Sequence, residues 1–175
     1  MNVPLFRQRK NTCGIIALKM ILSYFGKDVD ENKIIKAVGG LKSYGVRTVK
    51  LAEVAQKLGF TTECLSYNQK LASGKAIIKR PTKKDILKHL KKERPVILNV
   101  RSSLFYQRPK LSQAGHFIVI TRYKKGLFSY NDPADGKHHR IGEEELQFAW
   151  FNEVLDSSAY LLAIWPKIHT SQASK

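Results

Sequence analysis

The sequence predicts an α+β fold, and three observations carry that expectation. Apolar residues recur at helical density over the first part of the chain. β-branched apolar runs dominate from Pro95 onward, and two of them flank the tight turn "KKG" as in a hairpin. Helices first and strands later argue against alternating βαβ units.

Each element follows from local chemistry. From Cys13 to Phe25 the apolar residues are too dense for a surface helix and suit a buried one. Asn11 and Thr12 are N-cap candidates, and Gly26 ends the run as a C-cap glycine does. A short helix is expected over Asp30–Val38, closed by Gly39 and Gly40, which read as a helix stop and turn. A third helix spans about Thr48–Leu58, and "FTTECLSY" follows as a strand.

Residues 69–80 give a weaker signal, with "KAIIKR" a possible short strand. "TKKDILKHLKKER" reads as an amphipathic helix with Ile86, Leu87 and Leu90 inward. "PVILNVR" is a buried strand, and "SSLFYQRPKLSQAG" an exposed loop. "HFIVITRY" and "LFSYND" form the hairpin, "GEEELQFAWF" begins a helix with acidic residues in its first turn, and "SAYLLAIWP" is the last strand. One domain over residues 1–166 is expected, with 167–175 a frayed tail.

Composition narrows the class. Hydrophobic residues make up 43% and charged ones 26%, which excludes a disordered chain. No apolar run approaches the roughly 20 residues that span a bilayer. Arg7, Arg9 and Lys10 interrupt any secretory h-region, so a soluble, cytoplasmic protein is expected. The two cysteines, Cys13 and Cys64, are expected to be free thiols, Cys64 a buried strand residue. Thirty-one basic against 14 acidic residues give +17, a field that attracts acidic partners. Nine basic residues between Lys75 and Arg94 could also form a nucleic-acid footprint, although no nucleic-acid-binding motif accompanies them. "HH" at His138-His139 lacks the spacing of a helical zinc pair and no phosphate loop is present, so no metal or cofactor is expected.

Cys13 carries the chemical signal. A thiolate attacks carbonyls, and a helix N-terminus together with a nearby histidine lowers a thiol pKa. Of five histidines, His89 and His169 are expected in solvent, and His138 and His139 in a surface loop. His116 opens a strand directly after "QAG", which fixes its ring on a rigid element as a general base requires. Asp132 follows 16 residues later at the far end of the hairpin, within reach of the distal ring nitrogen. The alternative is that Asp132 merely caps an Asx-turn in "NDPADG". Cysteine on a helix, histidine and aspartate on strands follow the papain chain order.

The blocks "VPLFRQRKNTCGIIALKMILSYFGK", "LAEVAQKLGF", "RPVILNV", "GHFIVITRY" and "YNDPADGK" resemble the papain-like cysteine peptidases that cut leader peptides from bacteriocin precursors, usually as the N-terminal domain of ABC exporters. The resemblance covers roughly residues 3–165. It implies a papain-like fold with a helical half carrying the cysteine and an antiparallel β half carrying histidine and aspartate. It also implies Cys13 as nucleophile, His116 as base, Asp132 as orienter and Gln8 as oxyanion donor. Gln8 precedes Cys13 by five positions, one fewer than is usual in that family, so the turn must be tighter or Gln8 is an ordinary loop residue. The implied partner is a precursor peptide, cut after Gly-Gly. A non-catalytic peptide-binding module and a basic nucleic-acid-binding protein are the competing readings.

Overall fold

The computed structural model describes residues 1–112, 114–151 and 160–167. Its centre is a seven-stranded sheet of β1 (Phe60–Ser66), β2 (Ile77–Ile78), β3 (Val96–Arg101), β4 (Gly115–Lys124), β5 (Leu127–Asp132), β6 (Lys137–Gly142) and β7 (Leu161–Pro166). The order across the sheet is β2-β1-β7-β3-β4-β5-β6, antiparallel except for the β1–β2 pair. The fold is α+β.

Alternation along β3, β4 and β7 fills two cores, one on each face, which explains why these strands read as unbroken apolar runs. Ile97, Phe117, Val119, Leu162 and Ile164 face α1 (Cys13–Tyr24) and α3 (Thr48–Lys57). Leu98, Ile118, Ile120, Leu161 and Ala163 face the other way. There they meet residues of α5 (Lys83–Leu90), α6 (Ser102–Phe105) and α7 (Glu143–Trp150). The small elements α2 (Glu31–Ala37) and α4 (Gln69–Ala72) complete the elements among the described residues.

Local signals account for most boundaries. Asp30 caps α2 by accepting the N–H groups of Asn32 and Lys33. At the end of α1, Lys27 N–H donates to the Leu22 carbonyl and Gly26 N–H to that of Ser23, a Schellman closure. Lys125 and Gly126 both have positive φ, 50° and 79°, giving the two-residue turn that joins β4 to β5.

Four expectations are corrected. The segment expected as an exposed loop after β3 begins with α6, whose Phe105 is buried against Tyr130 and whose Ser102 and Ser103 are also buried. The "KHHRIG" segment, expected as a loop, is strand β6, held by backbone pairing to β5. The helix expected to reach Arg94 ends at Leu90, and Glu93 turns with φ 52° ahead of Pro95. His89, expected in solvent, is fully buried. It takes the inward position beside Ile86, while Leu87 and Leu90 are half-buried. The outer residues of the last expected strand, Ser158 and Ala159, and the tail from residue 168 lie outside the described residues.

Candidate active site

Cys13 opens α1. Thr12 occupies the N-cap position, yet its hydroxyl turns away from the helix. It accepts the Arg9 N–H at 3.0 Å and donates to the Arg9 carbonyl at 3.1 Å, so it makes no cap bond. The first-turn N–H groups of α1 are thereby left without a side-chain cap, and Cys13 stands at the positive end of the helix dipole. Both cysteines are free thiols.

Gly14 explains how the thiol reaches the sheet. A methyl group at this position would lie 2.7 Å from Val46 Cγ1 and 3.0 Å from two ring carbons of Phe117. Only a glycine permits this approach of α1 to β4. Phe117 follows His116, so the contact at Gly14 brings Cys13 to His116. His116 and Cys13 act on each other directly, each shifting the other's titration, and the backbone of Phe117 and Gly14 favours the same thiolate.

His116 is the second residue of β4, paired with Val100 of β3. Its Nε2 lies 2.7 Å from Asp132 Oδ1, which leaves Nδ1 for the thiol. Asp132 ends β5, one step beyond the Val119↔Asn131 pair, so it lies diagonally across the ladder from His116. The Asp132 carboxylate also accepts the Ala134 N–H at 2.8 Å on Oδ1 and the Tyr106 hydroxyl at 2.7 Å on Oδ2. The Asx-turn bond to Ala134 and the bond to His116 therefore coexist.

Electrostatics follow from this row. Burial opposes ionisation of Cys13, but the hydrogen bond and charge of His116 outweigh it and hold the thiol below its ordinary pKa. Burial likewise opposes charging of His116, yet Asp132 and Cys13 together push it up to about 9. Asp132 is buried, and the partner His116, with Tyr106 and the Ala134 N–H, keeps its pKa below the usual value. Both shifts run in the direction of a thiolate–imidazolium pair. Cys64 shows the contrast: burial with no compensating partner raises its pKa to about 12.

Gln8 sits beside this row on the N-terminal segment. Its backbone N–H donates to the Pro133 carbonyl at 2.7 Å, directly after Asp132. The half-buried side chain makes no hydrogen bond to the described residues, and Oε1 is buried without a partner. Asn131 anchors the same segment upstream: its Nδ2 donates to the Val3 carbonyl at 2.9 Å, while its Oδ1 faces His138 Nδ1 at 3.0 Å. Sequence reasoning missed Asn131 and Tyr106. Tyr106 had no signal, because its neighbours read as loop.

Other features lie apart. A cavity of about 510 Å³ at the other end of β5 has Ile86, Phe128, Leu146 and Trp150 among its lining and contains none of the four site residues. In the basic stretch, Lys75, Lys79, Lys83 and Lys88 pair with Glu53, Asp85, Glu143 and Glu63, which weakens it as a polyanion footprint. Among the described residues no helix is long and apolar enough to cross a membrane.

A thiol–imidazole–carboxylate row, set where a buried helix begins against an antiparallel sheet, is the layout of a thiol hydrolase. The chain belongs to the Peptidase_C39 like family, whose profile matches residues 1–154.

The chain is 26% identical over 165 residues to the probable microcin-H47 secretion/processing ATP-binding protein MchF of Escherichia coli. That alignment takes in 94% of this chain but 18% of MchF, so the chain spans less than a fifth of that relative. Its fold matches the peptidase domain of Streptococcus ComA, a bi-functional ABC transporter involved in quorum sensing, with a TM-score of 0.68 at 17% identity over 95% of this chain and 100% of that one. A double glycine motif protease from an AMS/PCAT transporter, solved in complex with the leader peptide, matches with 0.63 at 19% identity, covering 95% and 93%. A putative C39-like peptidase from Bacillus anthracis gives 0.68 at 16%, covering 95% and 96%.

Proposed function

We propose that this chain is a papain-like cysteine endopeptidase that cuts a precursor peptide after a Gly-Gly pair by acyl transfer through Cys13. The observation that carries the reading is the 2.7 Å bond from His116 to Asp132 on a histidine that also acts on the Cys13 thiol. Membership of a peptidase family supports the reaction class, and the likeness to a double glycine motif protease supports the cleavage position.

The Cys13 thiolate attacks the scissile carbonyl carbon, and the new oxyanion is held by the Cys13 N–H and the Gln8 side-chain amide. The His116 imidazolium gives its proton to the leaving amine as the C–N bond breaks, leaving a thioester on Cys13. His116, now neutral, takes a proton from water, whose oxygen attacks the thioester carbon. Collapse releases the new carboxyl group and restores the thiolate and imidazolium. Asp132 stays ionised throughout and holds the ring by Nε2. The uncapped start of α1 and the place of Gln8 beside the row support the oxyanion assignment, despite the short spacing between Gln8 and Cys13.

Residues 1–166 act as one catalytic unit in this reading, placed in the cytoplasm. The +17 charge suits an acidic precursor and speeds its encounter. A fluorogenic peptide ending its leader in Gly-Gly provides the test. Wild type should release the fluorophore and Cys13→Ala should not. Equal release by both proteins, or cleavage away from Gly-Gly, would count against it.

A further inference from the structure

We propose that Tyr106 is a positioning residue for the reaction, fixing the Asp132 carboxylate and covering its bond to His116. The inference rests on the peptidase reading above and adds a fourth side chain to the row.

Three contacts carry it. The Tyr106 hydroxyl donates to Asp132 Oδ2 at 2.7 Å, while Oδ1 is the oxygen that meets His116 Nε2. A carboxylate bound only through Oδ1 can swing about its Cβ–Cγ bond. A donor on Oδ2 fixes the carboxylate plane, and with it the direction in which Oδ1 holds the imidazole. The Tyr106 ring also packs against the His116 ring, with centroids 5.5 Å apart, and limits rotation of the base. Burial and Asp132 raise the phenol's pKa, so Tyr106 stays a donor over the working pH range.

The segment that delivers Tyr106 is tied down on its own account. Ser103 Oγ accepts the Ser112 N–H and donates to the Ser112 carbonyl, both at 3.1 Å. Ser102 N–H donates to the Ala114 carbonyl at 2.9 Å, and Tyr106 N–H to the Ser102 carbonyl at 3.0 Å. Phe105 anchors α6 in the core beside Tyr130. Residues 102–112 thus present the hydroxyl from a closed base rather than from a free loop. Asp132 accepts three donors in all, which a buried carboxylate needs to remain charged. Without the Tyr106 donor the carboxylate plane is free to turn, Oδ1 holds the imidazolium less well, and the Cys13 thiolate paired with it is lost at higher pH.

The experiment compares the full chain with Tyr106→Phe, which keeps the ring and removes the donor. Two readouts are needed: thiolate absorbance at 240 nm against pH, and kcat and KM on the Gly-Gly peptide. The expected result is a kcat lower by about tenfold, an unchanged KM and an acid limb moved to higher pH. Ser103→Ala should move both readouts the same way by less, since it loosens the delivery and spares the hydroxyl. If Tyr106→Phe lowers only the melting temperature, with kcat and the limb unchanged, the positioning role is overturned while the peptidase reading stands. If wild type itself forms no thiolate at neutral pH, both fall.

Discussion

Gly14 and Phe117 touch so closely that no side chain fits between them. A β-carbon on Gly14 would meet the Phe117 ring at 3.0 Å, and Phe117 is the residue next to His116. Packing at this point, rather than any feature of the thiol itself, sets the approach of Cys13 to His116.

Gly14→Ala should therefore act on both stability and chemistry. Overpacking of this kind costs about 1–3 kcal/mol, readable as a lower urea midpoint at constant slope. Alkylation of Cys13 should slow in the same variant, because α1 must move away from β4. A variant as stable and as reactive as wild type would show that the contact relaxes freely.

The site should be bell-shaped in pH. Cys13 lies below its ordinary value, so the thiolate is lost only as pH falls through that lowered pKa. His116 is raised to about 9, so the imidazolium proposed to protonate the leaving amine is lost as pH rises through that value. The corresponding stability sign follows: His116 contributes fully below its unfolded pKa of about 6.5, and the contribution disappears toward pH 9. Peptide cleavage against pH should show both limbs, whereas iodoacetamide alkylation should show only the acid one. An alkaline limb missing from cleavage would remove His116 as the acid.

The N-terminal segment should matter to the oxyanion and not to the thiolate. Asn131 is buried, and Asn131→Leu would leave the Val3 carbonyl and His138 Nδ1 without it. The expected cost is about 1–3 kcal/mol of stability, with a fall in kcat as Gln8 loses its register. Alkylation of Cys13 should be unchanged. A parallel loss of alkylation would mean that the segment supports the thiolate itself.

His89 should make the fold acid-sensitive. It is fully buried, faces Glu63 at 3.2 Å and has no partner on Nδ1. Burial, opposed by Glu63 and reinforced by Lys88 and Arg94, lowers its pKa. The unfolded chain thus binds the proton more readily, and stability falls as pH drops below about 6.5. His89→Leu should flatten this acid-side loss, measured as urea midpoints at pH 7 and pH 5. An equally steep loss in the variant would assign it elsewhere.

How much of this was legible follows from the kind of signal each part carries. α1 and the β4–β5 hairpin were plain, because long apolar runs and a Lys-Gly turn encode them locally. β6 was not, since "KHHRIG" has no alternation and exists by pairing with β5 at the sheet edge. α6 was hidden in a polar stretch whose Phe105 finds its core only in three dimensions. His89 was misread because lysines surround it in sequence while the helix turns it inward. Cys13, His116 and Asp132 stood out by their places at element ends. The approach at Gly14 and the Tyr106 donor are contacts between distant segments, which no local pattern records.

The most direct test compares the two thiols of the native protein. Iodoacetamide at neutral pH, followed by peptide mapping, reads the thiolate character of Cys13 and Cys64 in one sample. The expected result is that Cys13 is modified at least about tenfold faster, and that His116→Ala removes the difference. Equal rates at the two cysteines in wild type would contradict an activated nucleophile.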